Sequence, residues 1–181
     1  MGLSRDPIYH TIYNDLKRGT RLLLDNECFA SALIVLMASI DAMANLDRPE
    51  DGVQVTREDF IRWAERYLTP ALPFGVTGEE LYSHRCAILH TLGAESNITR
   101  AGRARRIGFI AGGNMRGGSN AELVLMNIEA FAQVFFAAIN VFLVEAFNDP
   151  GRRERLERRL DQVIMPIPYE PPVEGPTAGA S

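Results

Sequence analysis

Lysine is almost missing from this chain: Lys17 is the only one, so arginine carries nearly all the positive charge. That bias reflects genome composition rather than a design for binding phosphate. Charge of either sign is modest, with a net of −4, which argues against a protein coated in nucleic acid but leaves room for a local basic site. Cysteine is scarce too. Cys28 and Cys86 both fall in apolar helical stretches and read as two buried thiols rather than a disulfide. Only three histidines occur, His10, His84 and His90, and they share no metal-ligand spacing with the cysteines, so no metal and no cofactor is expected. The N-terminus lacks the apolar run of a signal peptide. It also lacks the myristoylation pattern, since Asp6 stands where Ser or Thr is required. A cytoplasmic protein is expected.

What is present is helix. Apolar periodicity marks a first helix over about 8–25 and a second, apolar almost all round, over about 27–45. Thr56 and Asp59 open a third that carries Phe60, Trp63 and Tyr67. The prolines and glycine of 69–75 break the chain, and Thr77 with Glu80 forms a capping box for a fourth helix ending near Gly93. A glycine- and arginine-rich loop follows to about Gly118, with a short strand or small hairpin near 107–110. Ser119 and Glu122 read as a cap for the longest helix, about 120–147. Asp149 and Pro150 start a last, charged helix to about Val163, docked through Leu156, Leu160 and Val163. The expected architecture is all-α: an antiparallel bundle of about five to six helices in one domain, 1–164. A proline-rich, disordered tail, 165–181, follows it.

Two of these helices demand burial on most sides. Asp41 is the only charge between Cys28 and Leu46, and Glu129 the only one between Leu123 and Val144. Both stretches approach membrane-spanning length, but polar residues within them and amphipathic helices around them favour a core pair. The fourth helix sharpens the problem. Leu81, Tyr82, Cys86, Ile88, Leu89 and Leu92 lie on one arc, and Arg85 stands near its centre. An arginine cannot shed its charge, so a buried Arg85 needs a carboxylate, Asp41 or Glu129, or an anionic ligand. Tyr82 reads as a core aromatic. His84 points away from the stripe, toward solvent.

Arg85, four residues and then His90 on a helix of an all-α domain resembles the signature of the HEPN superfamily (higher eukaryotes and prokaryotes nucleotide-binding domain). The lone Asp41 on a preceding apolar helix and a long final core helix strengthen the resemblance, which covers about 8–147. The resemblance implies a homodimer whose paired motifs face each other across a cleft and act as a metal-independent endoribonuclease of toxin or defence type, with an antitoxin as a further protein partner. By position, Arg85 would hold the scissile phosphate, His90 would act as general acid or base, and Asp41 would orient them. Arg85 and His90 lie roughly 140° apart around one helix, so a two-fold partner would complete the site. Cys86 stands where active members carry a polar residue. That departure leaves a second reading, a catalytically silent dimerisation module with Arg85 as a structural ion pair.

Arg100, Arg103, Arg105, Arg106 and Arg116 occupy a loop with no acidic residue between 99 and 118, a candidate RNA-contacting arm or a solvated loop. Its glycine run lacks the Gly-Lys-Ser/Thr ending of a P-loop.

Overall fold

The computed structural model describes Asp6 and residues 8–49, 54–93, 95–112 and 117–162. A π-wound segment, Ile8–Arg18, runs directly into α1, Gly19–Asp25. The chain reverses at Asn26–Cys28, where Glu27 adopts a left-handed φ of 57° and the Cys28 amide donates back to the Leu23 carbonyl. Helix α2 therefore begins at Phe29 rather than 27 and runs to Asp47. Cys28 precedes the helix and is exposed, not buried as expected; both cysteines are free thiols. Helix α3, Arg57–Tyr67, has the capping box that Thr56 and Asp59 predict. Two tight turns over Thr69–Ala71 and Pro73–Gly75 lead to α4, Gly78–Thr91, which Thr77 and Glu80 cap reciprocally.

The region after α4 departs from a bundle. A single helical turn, α5 (Asn97–Arg100), precedes strands β1 (Arg106–Ile110), β2 (Gly118–Ser119) and β3 (Leu123–Asn127). They form a mixed sheet in the order β1-β3-β2, with β1 parallel and β2 antiparallel to β3. The strict all-α expectation is thus corrected to a mainly helical fold with a small sheet. The cause is local. Asn120 accepts from the Glu122 and Leu123 amides and turns the chain, so Ser119 and Glu122 close a hairpin instead of capping a helix. Gly117, at φ 63°, lets β2 approach; a Cβ there would lie 2.1 Å from the Leu125 carbonyl oxygen. Residues 123–126 are a run of four apolar side chains that suits strand or helix equally, and pairing with β1 decides for strand. Helix α6 then starts at Ile128, capped by Asn127 through the Ala130 amide, and continues to Asn148. Helix α7 is Pro150–Leu160.

The core is aromatic and lies among α2, α3, α4 and α6. Trp63 packs edge-on to Phe135 and Phe142, and Tyr67 meets Phe142. Leu36, Met37, Ile40 and Met43 of α2 are wholly buried beside them. Leu156 and Leu160 dock α7; Val163 and the tail 165–181 lie outside the described residues. The charged surface helix expected here also inserts two cations. Arg159 is buried and caps the end of α2 through the Leu46 and Arg48 carbonyls. Arg152 joins Asp47, Tyr67 and Glu145. Phe29–Asp47 and Ile128–Asn148 are long and apolar enough to cross a membrane, and half of the most apolar stretch of each is buried inside the fold.

Candidate functional site

Helix α4 carries the site, and its buried face is not the one the apolar stripe predicts. Glu80, Leu81, Ser83, His84, Ala87 and Ile88 are buried, an arc centred near His84 and rotated by about 100° from the stripe around Arg85. Tyr82, Arg85, Cys86 and Leu89 are half-buried at its edge, and Leu92 is 65% exposed. The reason is tertiary. The segment from Ser96 to Phe109 folds back along α4 and supplies partners for polar groups that otherwise look solvent-facing. Ser83 shares a hydrogen bond with Ser96 at 2.6 Å, and Glu80 takes Arg105 in a two-pronged ion pair at 2.5 and 2.9 Å. His84, expected at the surface, is only 4% exposed and packs on the Phe109 ring.

Both His84 ring nitrogens are buried without a partner among the described residues, and burial pushes its pKa down to about 4. The unfolded chain, with an ordinary value of 6.5, binds the proton more readily. Stability from this residue is therefore complete above about pH 6.5 and is lost as the pH falls toward 4. Between neutrality and about pH 4.5 the loss should reach about 2 to 3 kcal/mol. Urea titrations across that range should show it in the wild type and a flatter profile in His84→Leu. Equal slopes in the two would remove His84 as the cause.

On the exposed edge of α4, Arg85 donates from Nε to Asp41 Oδ2 at 2.7 Å, with the two side chains 23% and 17% exposed. Of the two carboxylates expected to answer this arginine, Asp41 does so. Glu129 instead accepts from the Gly112 amide. Burial raises the Asp41 carboxyl above its ordinary value, outweighing the opposing pull of Arg85. Burial alone would lower Arg85, but the hydrogen bond and charge of Asp41 hold it above its ordinary value. The guanidinium is thus firmly cationic. Its Nε is spent on Asp41, and a side-chain hydrogen bond with the neighbouring Cys86 adds to its hold on the proton. The cation also leans over the Tyr82 ring at 6.0 Å.

No family model, curated protein or solved structure matches this chain.

His90 is exposed in the last turn of α4, and no hydrogen bond or ion pair joins it to Arg85 among the described residues. The chain holds the two on different faces of the helix. The arginine loop is not a free arm. Arg105 is spent on Glu80 and on the Phe74 and Gly75 carbonyls, and Arg106 pairs with Glu95 at 3.2 Å. Arg100 and Arg103 are exposed, form no ion pair among the described residues, and line a cavity of about 600 Å³ together with Arg105, Arg106 and Glu95. Arg116 lies outside the described residues. Sequence reasoning missed the anchoring role of Glu80 and Arg105. The only available signal was the capping position of Glu80, which gives no hint of a partner 25 residues on.

Proposed function

We propose that this protein is a cytoplasmic, HEPN-like RNA-binding homodimer that cleaves RNA without a metal at a cleft built from two copies of α4. The observation that carries the reading is the Arg85–Asp41 pair, which fixes the guanidinium through its Nε and keeps it partly exposed on the helix that also exposes His90. A guanidinium held this way is preorganised for a phosphate and for the charge that develops on it during transfer. His90 would move a proton to or from the ribose 2′-hydroxyl and leave a 2′,3′-cyclic phosphate. Dimerisation is supported by the half-buried Tyr82, Cys86 and Leu89 and the exposed Leu92, apolar side chains flanking Arg85 that one chain leaves incompletely covered. Arg100 and Arg103 remain the loop arginines able to meet phosphate, and a toxin or defence role with an antitoxin partner belongs to this reading.

The purified wild-type protein, incubated with mixed RNA in EDTA, is expected to yield fragments with cyclic-phosphate ends, and sedimentation should show a dimer. Intact RNA would favour the second reading. In that reading α4 belongs to a silent dimerisation module and Arg85 is a structural ion pair, as its link between α2 and α4 and the adjacent Cys86 suit.

A further inference from the structure

A second basic groove lies between the N-terminal helix and α6. Its cavity of about 600 Å³ is lined by Tyr13, Lys17, Arg18 and Arg21 on one wall and by Gln133, Phe136 and Asn140 on the other. None of the lining residues is acidic, and none of the three cations makes an ion pair among the described residues. In a chain of net charge −4, that concentration of unanswered positive charge is not a by-product of composition. The single lysine of the protein is the deepest of them. Lys17 is 9% exposed, donates to Asn140 Oδ1 at 2.6 Å, and sits 4.7 Å from the Tyr13 ring centre. Arg21 lies over the Phe136 ring at 5.5 Å. Burial, then the Arg21 charge, lower the Lys17 ammonium below its ordinary value, so the crowded cations gain from an anion between them.

We propose that this groove binds a nucleotide unit, with its phosphate on Lys17, Arg18 and Arg21 and its base stacked on Tyr13 against the edge of Phe136. The pairing of guanidinium groups with aromatic faces is the arrangement that holds a base and its phosphate together. Gln133 is exposed on α6 and offers an amide donor and acceptor to the base edge. The volume falls in the range of small-ligand pockets. The same chemistry comes either as a free nucleotide or as one residue of an RNA strand. The inference is independent of the cleavage proposed above and would stand if α4 were silent.

The test is fluorescence anisotropy with a short labelled 2′-O-methyl oligouridylate, which cannot undergo attack by its own 2′-hydroxyl. Binding by His90→Ala should equal wild type, so failure of the cleavage reading leaves this measurement untouched. Arg18→Ala/Arg21→Ala should weaken binding on the order of ten-fold and flatten its salt dependence. Tyr13→Leu should weaken it by about five-fold or more and leave the salt dependence unchanged, because stacking carries no charge. All three residues are exposed, and thermal melts should coincide with wild type. Competition by uridine monophosphate would identify a free-nucleotide site, and binding of the strand alone a track for RNA; both support the proposal. It is overturned if wild type does not bind the probe, if neither variant weakens it, or if inorganic phosphate competes as well as uridine monophosphate.

Discussion

Replacing His90 by alanine should slow RNA cleavage by about 10²- to 10⁴-fold, the usual contribution of a positioned acid or base. The side chain is exposed on the last turn of α4 and has no structural partner among the described residues, so its loss should leave packing undisturbed and report only on the proposed chemistry. Far-ultraviolet circular dichroism, the melting temperature and the dimer population should match wild type while the initial rate in EDTA collapses. Residual RNA binding should persist, since Arg85 and Asp41 are untouched. A rate within two-fold of wild type would take His90 out of the reaction and move the site to the silent-module reading. Arg85→Ala is a poorer probe. It strips Asp41 of its only described partner, so stability falls whether or not the arginine meets RNA.

Glu80→Ala should destabilise the fold by about 3 kcal/mol or more. The carboxylate is buried and does two jobs. One oxygen accepts from the Thr77 amide and closes the capping box of α4, while Arg105 Nε and Nη2 grip both oxygens. Removing it uncaps α4, releases the loop that covers Ser83 and His84, and leaves Arg105 without its carboxylate. Burial opposes ionisation of Glu80, but the Arg105 hydrogen bond, the Thr77 amide and the Arg105 charge prevail and hold its pKa below the ordinary value. Its contribution is therefore present above the ordinary carboxylate range and is lost as the pH falls through the depressed folded value. Guanidinium denaturation at pH 7 should register the full loss. A double-mutant cycle with Arg105→Ala should show the two losses to be strongly non-additive. Simple additivity would mean that the ion pair is incidental and that only the cap matters.

Helix order, the two capping boxes of α3 and α4, the proline break at 69–75 and the strand near 107–110 were legible in the chain, because each rests on neighbours within a few residues. So was the logic of the Arg85–Asp41 pair: a charge that cannot be discarded, on a helix facing another with a lone carboxylate, has few answers. The choice of Asp41 over Glu129 was not legible, since both satisfy the same electrostatic demand.

The segment 123–127 shows the limit most clearly. Its apolar run is degenerate between strand and helix, and only hydrogen bonding to β1, from a different part of the chain, resolves it. The facing of α4 was decided in the same way. Periodicity identified an apolar arc around Arg85, yet the buried arc centres on His84, because Ser96, Arg105 and Phe109 return to satisfy Ser83, Glu80 and the imidazole. The groove of Lys17, Arg18 and Arg21 depends on α6 supplying Gln133, Phe136 and Asn140 from more than a hundred residues away. By itself the sequence determined where α3, α4 and α7 begin and that one arginine needs an anion, since caps and charge act locally. Which faces are buried, and which cations are left unanswered, only the tertiary structure decided, because a polar side chain becomes a core residue when a distant segment brings its partner.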